Sequence, residues 1–393
     1  MANITYNVAS VGSSAYQLTN VSTGISGNNL SLSMNLGDTL IFNVIAPGHP
    51  FHVKTQAGTG TGNQASLVSN NGATNGTVTF IPQSAGTYYY QCSIHSSMVG
   101  TITVVDPDTT TDWTQLGQDI DGESSADSSG ISVSFSGDGS RVAIGASGDD
   151  DAGGNAGHTR IYEYNGSAWV QIGQDIDGET AGDLSGGYVG SVRLSSDGRR
   201  VAIGAIHNDG GGTKSGHTRI YEYNGSAWVQ LGSDIDGEAA GDQSGISVSL
   251  SSGGSRVAIG AYFNDGGGNN TGHTRVYEYN GSAWVQLGSD IDGEATSDYS
   301  GHSVSLSSDG SRIAIGAYMN DGGGTNSGHT RIYDYNGSAW VQKGSDIDGE
   351  ATGDTSGWSV SLSSDGSRVA IGAPSNDDGG SSAGHVRVYK IEG

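Results

Sequence analysis

Residues 247–261 read Ser-Val-Ser-Leu-Ser-Ser-Gly-Gly-Ser-Arg-Val-Ala-Ile-Gly-Ala, and this stretch decides the fold of most of the chain. Apolar and polar residues alternate on both sides of a Gly-Gly turn, which is typical of two short strands joined as a hairpin. The same pattern recurs in five repeats, each opened by a tryptophan segment of the form W-x-Q-x-G-x-D-I-D-G-E. The tryptophans are spaced by 56, 59, 56 and 56 residues: Trp113, Trp169, Trp228, Trp284 and Trp340.

Each repeat predicts four strands, which in the third full copy are residues 247–251, 256–261, 273–279 and 283–291. The Asn280-Gly281 pair between the last two strands is a strong hairpin signal, because both turn positions favour a positive φ. Four antiparallel strands in each repeat are typical of a propeller blade. Residues 113–393 therefore predict a five-bladed β-propeller.

The two ends of the repeat array predict how the propeller closes. The array begins with a tryptophan strand at residues 112–122 and stops after residues 384–390 without another one. We expect the first segment to supply the missing outer strand of the last blade, because this closure removes an exposed sheet edge.

The repeat resembles the FG-GAP, integrin-α-like propeller repeats, most fully at residues 359–377. This resemblance implies a fold and says little about function. Calcium loops in that family follow a longer aspartate-rich pattern, whereas the corresponding place here is only Ser-Ser-Asp-Gly at residues 363–366. Those family calcium sites therefore do not carry over.

Residues 1–106 predict a separate domain of seven or eight short strands, divided by turn signals such as Gly37-Asp38 and Asn71-Gly72. This strand density is typical of a Greek-key sandwich. Residues 107–112 are polar and predict a linker. No segment has helical apolar periodicity, so the whole chain is expected to be all-β.

The end of this first domain contains a candidate metal site. Cys92, the sole cysteine, is followed by His95 and Met98 in a C-x2-H-x2-M arrangement between two predicted strands. A thiolate, an imidazole and a thioether are ligands that suit a mononuclear copper ion. A second imidazole is available from His49 or His52.

These motifs resemble the cupredoxin family, through Gly-Asp-Thr-Leu-Ile-Phe at 37–42, Gly-His-Pro-Phe-His-Val-Lys-Thr at 48–55 and the Cys92 stretch. The spacing is similar to that of the short-loop, amicyanin-like members. The resemblance implies copper ligands at His49, Cys92, His95 and Met98, with His52 as the alternative to His49. A copper-free sandwich, in which Cys92 is an inert apolar residue, is the competing interpretation.

The net charge is −25, of which residues 1–110 carry −2 and the remainder −23. Such an acidic body repels nucleic acid and anionic membrane surfaces, so neither is an expected partner. The first residues lack the basic and apolar regions of a signal peptide. The chain is therefore expected in the cytosol, in a particle assembled inside a cell, or outside after export without a signal peptide.

Three repeated features of the body are further candidate sites. The acids Asp234, Asp236, Glu238 and Asp242 offer hard oxygen ligands for calcium, with a solvated turn as the alternative. Histidine–x–arginine pairs such as His273 and Arg275 recur in every repeat, and repetition favours contacts between blades over catalysis. Four Asn-Gly-Ser triplets match a glycosylation sequon, although the hairpin explains them better.

The sequence thus predicts a non-enzymatic structural or adhesive protein on a virion or extracellular surface. A capsid decoration or a tail or fibre component is the favoured form, because the first domain resembles sequences of marine bacteriophages and bacteria. Expected partners are other virion or surface proteins, a host glycan or receptor, or further copies of the chain. The alternative is a type 1 copper protein, for electron transfer or copper binding, with the propeller as a docking platform. An enzyme acting at the central channel is the third hypothesis.

Overall fold

A computed structural model describes residues 2–106 and 114–392. The chain forms two compact units, Met1–Thr114 and Gln115–Gly393. The described residues contain strands and turns but no helix, which confirms the predicted all-β class. Among them, accordingly, no helix could span a membrane. The predicted linker and Trp113 lie outside the described residues.

The first unit has two sheets in its described part. Their strands, in chain order, are β1 (Asn3–Val11), β2 (Ala15–Asn20), β3 (Ser26–Asn28), β4 (Leu32–Asn35), β5 (Thr39–Ile45), β6 (Phe51–Lys54), β7 (Val68–Ser69), β8 (Asn75–Phe80), β9 (Gly86–Cys92) and β10 (Val99–Val105). One sheet has the order β3-β2-β1-β5-β8-β7, and the other has the order β4-β10-β9-β6. The short strands β3 and β7 were not predicted from the sequence.

The core of the first unit lies where residues of the two sheets meet. β5 alternates buried and accessible residues, as a strand with one covered face should. Its Phe42 ring lies 4.8 Å from the ring of Phe51 in β6, and Phe51 stacks 5.4 Å from Tyr90 in β9. β1 pairs with β5 in parallel, and β10 pairs with β4 in parallel, so the chain crosses between sheets as in Greek-key folds.

The second unit repeats one sheet along the chain. The first three sheets contain β11 (Ser129–Phe135), β12 (Arg141–Ala146), β13 (His158–Tyr164), β14 (Trp169–Gln171) and β15 (Ile176–Asp177); β16 (Val192–Leu194), β17 (Arg200–Ala205), β18 (His217–Tyr223), β19 (Trp228–Gln230) and β20 (Ile235–Asp236); and β21 (Ser247–Leu250), β22 (Arg256–Ala261), β23 (His273–Tyr279), β24 (Trp284–Gln286) and β25 (Ile291–Asp292). The last two contain β26 (Ser303–Leu306), β27 (Arg312–Ala317), β28 (His329–Tyr335), β29 (Trp340–Gln342) and β30 (Ile347–Asp348); and β31 (Ser359–Leu362), β32 (Arg368–Ala373) and β33 (His385–Lys390).

The fourth predicted strand of each repeat is divided in the structure. In the third sheet, the predicted strand 283–291 forms β24 and β25, which both pair with β23. Gly288, between them, has a φ of +72°. A strand cannot continue through this left-handed backbone, so the segment bends and then pairs again with β23 at Thr274.

Consecutive sheets contact each other through bonds that recur along the array. The Leu306 N–H donates to Ser249 Oγ at 3.0 Å, and the Leu362 N–H donates to Ser305 Oγ at 2.9 Å. At the outer edge, Trp228 Nε1 donates to the Ile172 carbonyl at 2.8 Å. Because the same pairs of positions make these contacts at successive junctions, the sheets follow one another in a regular, propeller-like array.

The predicted closure by residues 112–122 is not formed in the described part of the chain. The last sheet contains only β31, β32 and β33 there, and residues 114–122 form no strand. The first sheet holds this segment instead, since Trp169 Nε1 donates to Leu116 O at 2.9 Å and Arg160 Nη2 donates to Asp121 O at 2.7 Å.

The outer faces of the first and last sheets are accessible, as expected where the described residues do not close the array. Phe135 in β11 is 59% exposed, whereas Leu194, its counterpart in β16, is 7% exposed. At the other end, Val388 in β33 is 65% exposed, and its counterpart Ile332 in β28 is 3% exposed. The four observed contacts between consecutive sheets therefore leave these two faces uncovered.

Candidate functional site

The candidate metal ligands of the first unit lie at the end where β9 runs into β10. Cys92 is the last residue of β9 and is completely buried. The following turn carries His95 and Met98, and the Met98 N–H donates to the His95 carbonyl at 3.3 Å. The Cys92 N–H donates to the Met98 carbonyl at 3.0 Å. This bond closes the turn and brings the two sulfur-containing residues next to each other.

His49 reaches the same point from the turn between β5 and β6. Its Nδ1 lies 3.1 Å from His95 Nδ1, and His95 Nδ1 lies 3.6 Å from Cys92 Sγ. The three ligand atoms all lie within 4.8 Å of one another. The structure therefore brings together three of the predicted ligands from two distant segments.

Met98 and His52 occupy different surroundings. Met98 is completely buried in the apolar core that also contains Cys92. His52 lies in β6, where Gln64 Nε2 is 3.5 Å from its Nδ1 and a side chain on Gly72 would overlap its ring. Burial lowers the pKa of His52, and the nearby Lys54 adds to the effect. Of the two alternative histidines, His49 is the one beside Cys92 and His95.

Two residues that the sequence did not single out position this site. Tyr16 is fully buried, and its Oη donates to the carbonyls of His49 and Pro50 at 2.9 and 3.0 Å. Burial, together with the adjacent Cys92 side chain, raises the pKa of Tyr16. Asn29 accepts the Tyr16 N–H through Oδ1 at 3.0 Å and donates from Nδ2 to Ser97 O at 2.9 Å.

The donor atoms fit the chemistry of a copper ion. Two facing Nδ1 atoms can share a hydrogen bond only if one of them carries the proton, whereas a metal uses both lone pairs. The Ile94 N–H points at Cys92 Sγ from 3.5 Å, as a donor that stabilises a thiolate does. Sulfur and imidazole ligands in this ratio suit copper, with a thioether as a weak further ligand.

The four acids of the predicted calcium loop contact different partners. Asp242 Oδ2 accepts the Ala239 N–H at 3.0 Å and Asn264 Nδ2 at 2.9 Å, and Asp242 is buried. Asp234 accepts a hydrogen bond from Gln230, while Glu238 pairs with Arg275 of the next sheet. Asp236 contributes its carbonyl to Arg275. Calcium binding by this loop stays a prediction.

The histidine–x–arginine pairs lie at the junction between consecutive sheets. Arg275 Nη2 donates to the Asp236 carbonyl of the preceding sheet at 2.6 Å, and its Nη1 lies 3.5 Å from Glu238 Oε1. The guanidinium also lies 5.6 Å from the Tyr277 ring. The predicted contact between repeats is therefore made by the arginine of each pair.

The inner strands of all five sheets in the described residues line one central cavity of roughly 410 Å³. Its walls hold residues that break the repeat. Arg193 stands where other repeats have serine, and His302 and Trp358 stand where the first repeat has Ile131. Rings gather beside it, with His302 lying 4.6 Å from Tyr318 and 4.7 Å from Trp358. The break in the repeat at Arg193 and His302 is visible in the sequence, but the cavity that brings these residues together is not.

Comparison with known proteins supports the repeat assignment. Residues 290–333 and 345–389 match the FG-GAP repeat family. No curated protein matches the chain. The second unit is thus an all-β array that contains FG-GAP repeats.

Several solved structures are weakly similar to the chain. The periplasmic gluconolactonase of Pseudomonas aeruginosa has 14% identity and a TM-score of 0.42, over 67% of this chain and 73% of its own. Hydrazine synthase of Kuenenia stuttgartiensis has 12% identity and a TM-score of 0.43, over 99% and 96%. The β-propeller domain of the trilobed protease from Pyrococcus furiosus has 11% identity and a TM-score of 0.39, over 66% and 68%. Similarity at this level carries no argument about activity.

The prediction of a non-enzymatic protein is nevertheless wrong as stated. Two of these similar structures, the gluconolactonase and the hydrazine synthase, are named as enzymes. None of the three is named as a virion protein. The non-enzymatic classification is therefore not retained, and the virion role gains no support.

Proposed function

We propose that the chain is a copper protein whose first unit, folded as a cupredoxin-like sandwich, binds one copper ion and exchanges electrons with a partner. Cys92, His49 and His95 are the main ligands, and Met98 is the weak fourth ligand. The proposal is supported above all by the convergence of His49 Nδ1, His95 Nδ1 and Cys92 Sγ within 4.8 Å. When bound, copper supplies a centre that gains and loses a single electron.

The surroundings of the ligands suit this role. Cys92 and Met98 are buried, whereas His49 and His95 are only partly buried and lie toward the surface. Beside them, Ile94 is 60% exposed. An accessible imidazole edge next to an apolar residue gives a partner a short route to the metal without exposing the sulfur ligands. The second unit serves in this proposal as the docking platform.

Copper titration tests the proposal on the full-length protein. Copper(II) is expected to produce an intense visible band from charge transfer between the Cys92 thiolate and the metal. The band should bleach with ascorbate and return with ferricyanide. Cys92→Ala should abolish it, whereas Ser93→Ala, next to it in the chain, should retain it. A wild-type protein that stays colourless, or a band that survives in Cys92→Ala, would contradict the proposal.

A second candidate function is the binding of a small carboxylate in the central cavity of the second unit. It is supported by the position of Arg193, which lines the cavity and donates from Nε to Val248 O at 3.3 Å. Among the described residues, no carboxylate lies within 4.0 Å of its guanidinium. An arginine among aromatic and aliphatic walls can pair with a carboxylate whose body is apolar.

Benzoate is a suitable probe for this cavity, because it combines one carboxylate with an apolar ring. Binding should change the fluorescence of Trp358, which lines the cavity. Arg193→Ser, which restores the residue of the other repeats, should remove the response. Arg199→Ser, which changes a nearby arginine that does not line the cavity, should leave it intact. An unchanged response in Arg193→Ser would exclude this function for Arg193.

The expected location, on a virion or an extracellular surface, and the expected surface partners stay predictions from the sequence.

A further inference from the structure

The histidines that begin the third strand of the first four sheets are buried without hydrogen bonds in the described residues. His158, His217, His273 and His329 are at most 1% exposed. Among the described residues, neither ring nitrogen of any of the four has a hydrogen-bond partner. Buried polar atoms are almost always paired with protein, water or an ion, so a recurrent exception points to a missing species.

Carboxylates surround each of these histidines. Glu238 Oε2 lies 3.8 Å from His273 Nδ1, and Asp290 Oδ2 lies 3.9 Å from the same atom. Glu238 follows β20 of the preceding sheet, whereas Asp290 lies between β24 and β25 of the sheet that contains His273. The three ligand atoms lie within 4.8 Å of one another, across the junction of two sheets.

The same trio recurs along the array. Glu123, His158 and Asp175 form one cluster, and Glu179, His217 and Asp234 form another. In the fourth sheet, His329 Nδ1 lies 3.8 Å from Glu294 and 4.0 Å from Asp346. Four consecutive repeats therefore hold one imidazole and two carboxylates in the same relative positions.

The imidazole-to-glutamate distances of 3.7 to 3.8 Å are too long for hydrogen bonds and suit ligands around an ion. In the first sheet Asp149 Oδ2 also lies 3.3 Å from His158 Nδ1. Nitrogen and oxygen ligands at about 2.0–2.2 Å from a tetrahedral metal lie roughly 3.4 Å apart, and wider angles increase this separation. A hydrogen bond would require about 3 Å.

The neighbouring arginine leaves the ligand atoms available. Arg275 Nη1 lies 3.5 Å from Glu238 Oε1, while Glu238 Oε2 is the oxygen that faces His273. The glutamate thus bridges the guanidinium and the gap beside the imidazole. Two carboxylates against one guanidinium leave a net negative charge, which favours a divalent cation.

We propose that each of these four clusters binds one divalent transition-metal ion of the Zn²⁺ class, linking consecutive sheets of the second unit. One imidazole with two carboxylates suits zinc or manganese, whereas calcium and magnesium prefer oxygen ligands alone. The sites are distinct from the copper site and do not rest on the proposed function, but they include Asp234 and Glu238, two of the acids in the calcium prediction.

The fifth repeat supplies a matched control. In its described part the last sheet has three strands, so it lacks the outer strand that is followed by the aspartate in the other repeats. His385 has Glu350 at 3.5 Å, but its side chain is 20% exposed. This position offers an incomplete ligand set and should not retain the ion.

The test measures zinc bound by the full-length chain carrying Cys92→Ala and His95→Gln, which removes the ligands of the first unit. After dialysis, elemental analysis should find four zinc ions per chain, and zinc should raise the thermal midpoint. Adding His273→Gln should lower the count to three, as should Asp290→Asn if His273→Gln does not fold. Adding His385→Gln should leave four.

Absence of retained zinc in the starting protein, with no change in its thermal midpoint, would overturn the proposal and indicate that water fills the gaps. An equal loss of zinc from His273→Gln and His385→Gln would also overturn it, because it would show binding by exposed histidines in general.

Discussion

The Nδ1 atoms of His49 and His95 lie 3.1 Å apart, although 46 positions separate the two residues in the chain. The turn before β6 and the turn after β9 meet there because β6 pairs with β9, placing Phe51 opposite Cys92. Tyr16 then fixes the first turn through its bonds to the His49 and Pro50 carbonyls. The site is thus a consequence of strand register and of one buried tyrosine.

The first prediction separates the two histidines that the sequence left as alternatives. His49→Gln should lose the visible copper band or change it strongly, because it removes a ligand beside Cys92. His52→Gln should retain the band, because His52 lies in β6 beside Gln64 and Gly72. Absorption spectra of the two copper-loaded variants decide the matter. Loss of the band in His52→Gln but not in His49→Gln would show that His52, and not His49, is the copper ligand.

The second prediction concerns the close approach of consecutive sheets. A Cβ on Gly260 would overlap the carbonyl oxygen of Gly301 in the next sheet, whereas a Cβ on Gly372 would meet only Ser359 of its own sheet. Gly260→Ala should therefore lower the free energy of unfolding by about 3 kcal/mol or more, as overpacking does. Gly372→Ala should change it by less than about 0.5 kcal/mol. Urea unfolding followed by tryptophan fluorescence measures both, and equal effects would rule out the inter-sheet contact.

The third prediction compares an arginine that contacts the next sheet with its counterpart in the last sheet. Arg256 donates from Nε to Glu278 at 2.9 Å and from Nη1 to Gly310 O of the next sheet at 3.1 Å. Lysine cannot reproduce this fork, so Arg256→Lys should destabilise the second unit by about 1–2 kcal/mol. Arg368, the counterpart in the last sheet, is exposed, and Arg368→Lys should be nearly neutral. The same unfolding measurement applies, and a neutral Arg256→Lys would contradict the expectation.

The fourth prediction is a pH dependence that comes from His302. Burial lowers its pKa below the ordinary 6.5, although its Nδ1 lies 3.2 Å from the Trp358 carbonyl. The unfolded chain then binds more protons than the folded chain below about pH 6.5, so stability is full above that pH and falls as the pH decreases.

His302→Ile provides the control, because isoleucine occupies this position in the first and third repeats, at Ile131 and Ile246. Between pH 7.5 and pH 5, the wild type should lose more unfolding free energy than this variant. An equal loss in both proteins would show that His302 does not contribute to the pH dependence.

Local patterns in the sequence predicted much of this fold. Alternation in residues 256–261 and the Asn280-Gly281 turn gave strands whose bounds match β22 and the end of β23. The turn that carries Cys92, His95 and Met98 between two strands was also predicted, because those residues share one segment, whereas copper binding there stays a prediction. Where a single segment carries the information, the sequence is sufficient.

Features that depend on distant segments were less predictable. The bend at Gly288 divides a strand that has uniform alternation, because only the pairing partner shows where the ladder stops. Closure by residues 112–122 depends on the angle between sheets, which no single repeat encodes in its sequence. Tyr16 resembles an ordinary core tyrosine until its contacts with the His49 turn are seen.

X-ray absorption at the copper edge of the loaded full-length protein tests the central claim most directly. We predict one short copper–sulfur contact from Cys92 and two imidazole nitrogens from His49 and His95. Cys92→Ala should remove the sulfur, and His49→Gln should remove one nitrogen. A copper ion surrounded only by nitrogen and oxygen, with the same spectrum in Cys92→Ala, would contradict the account.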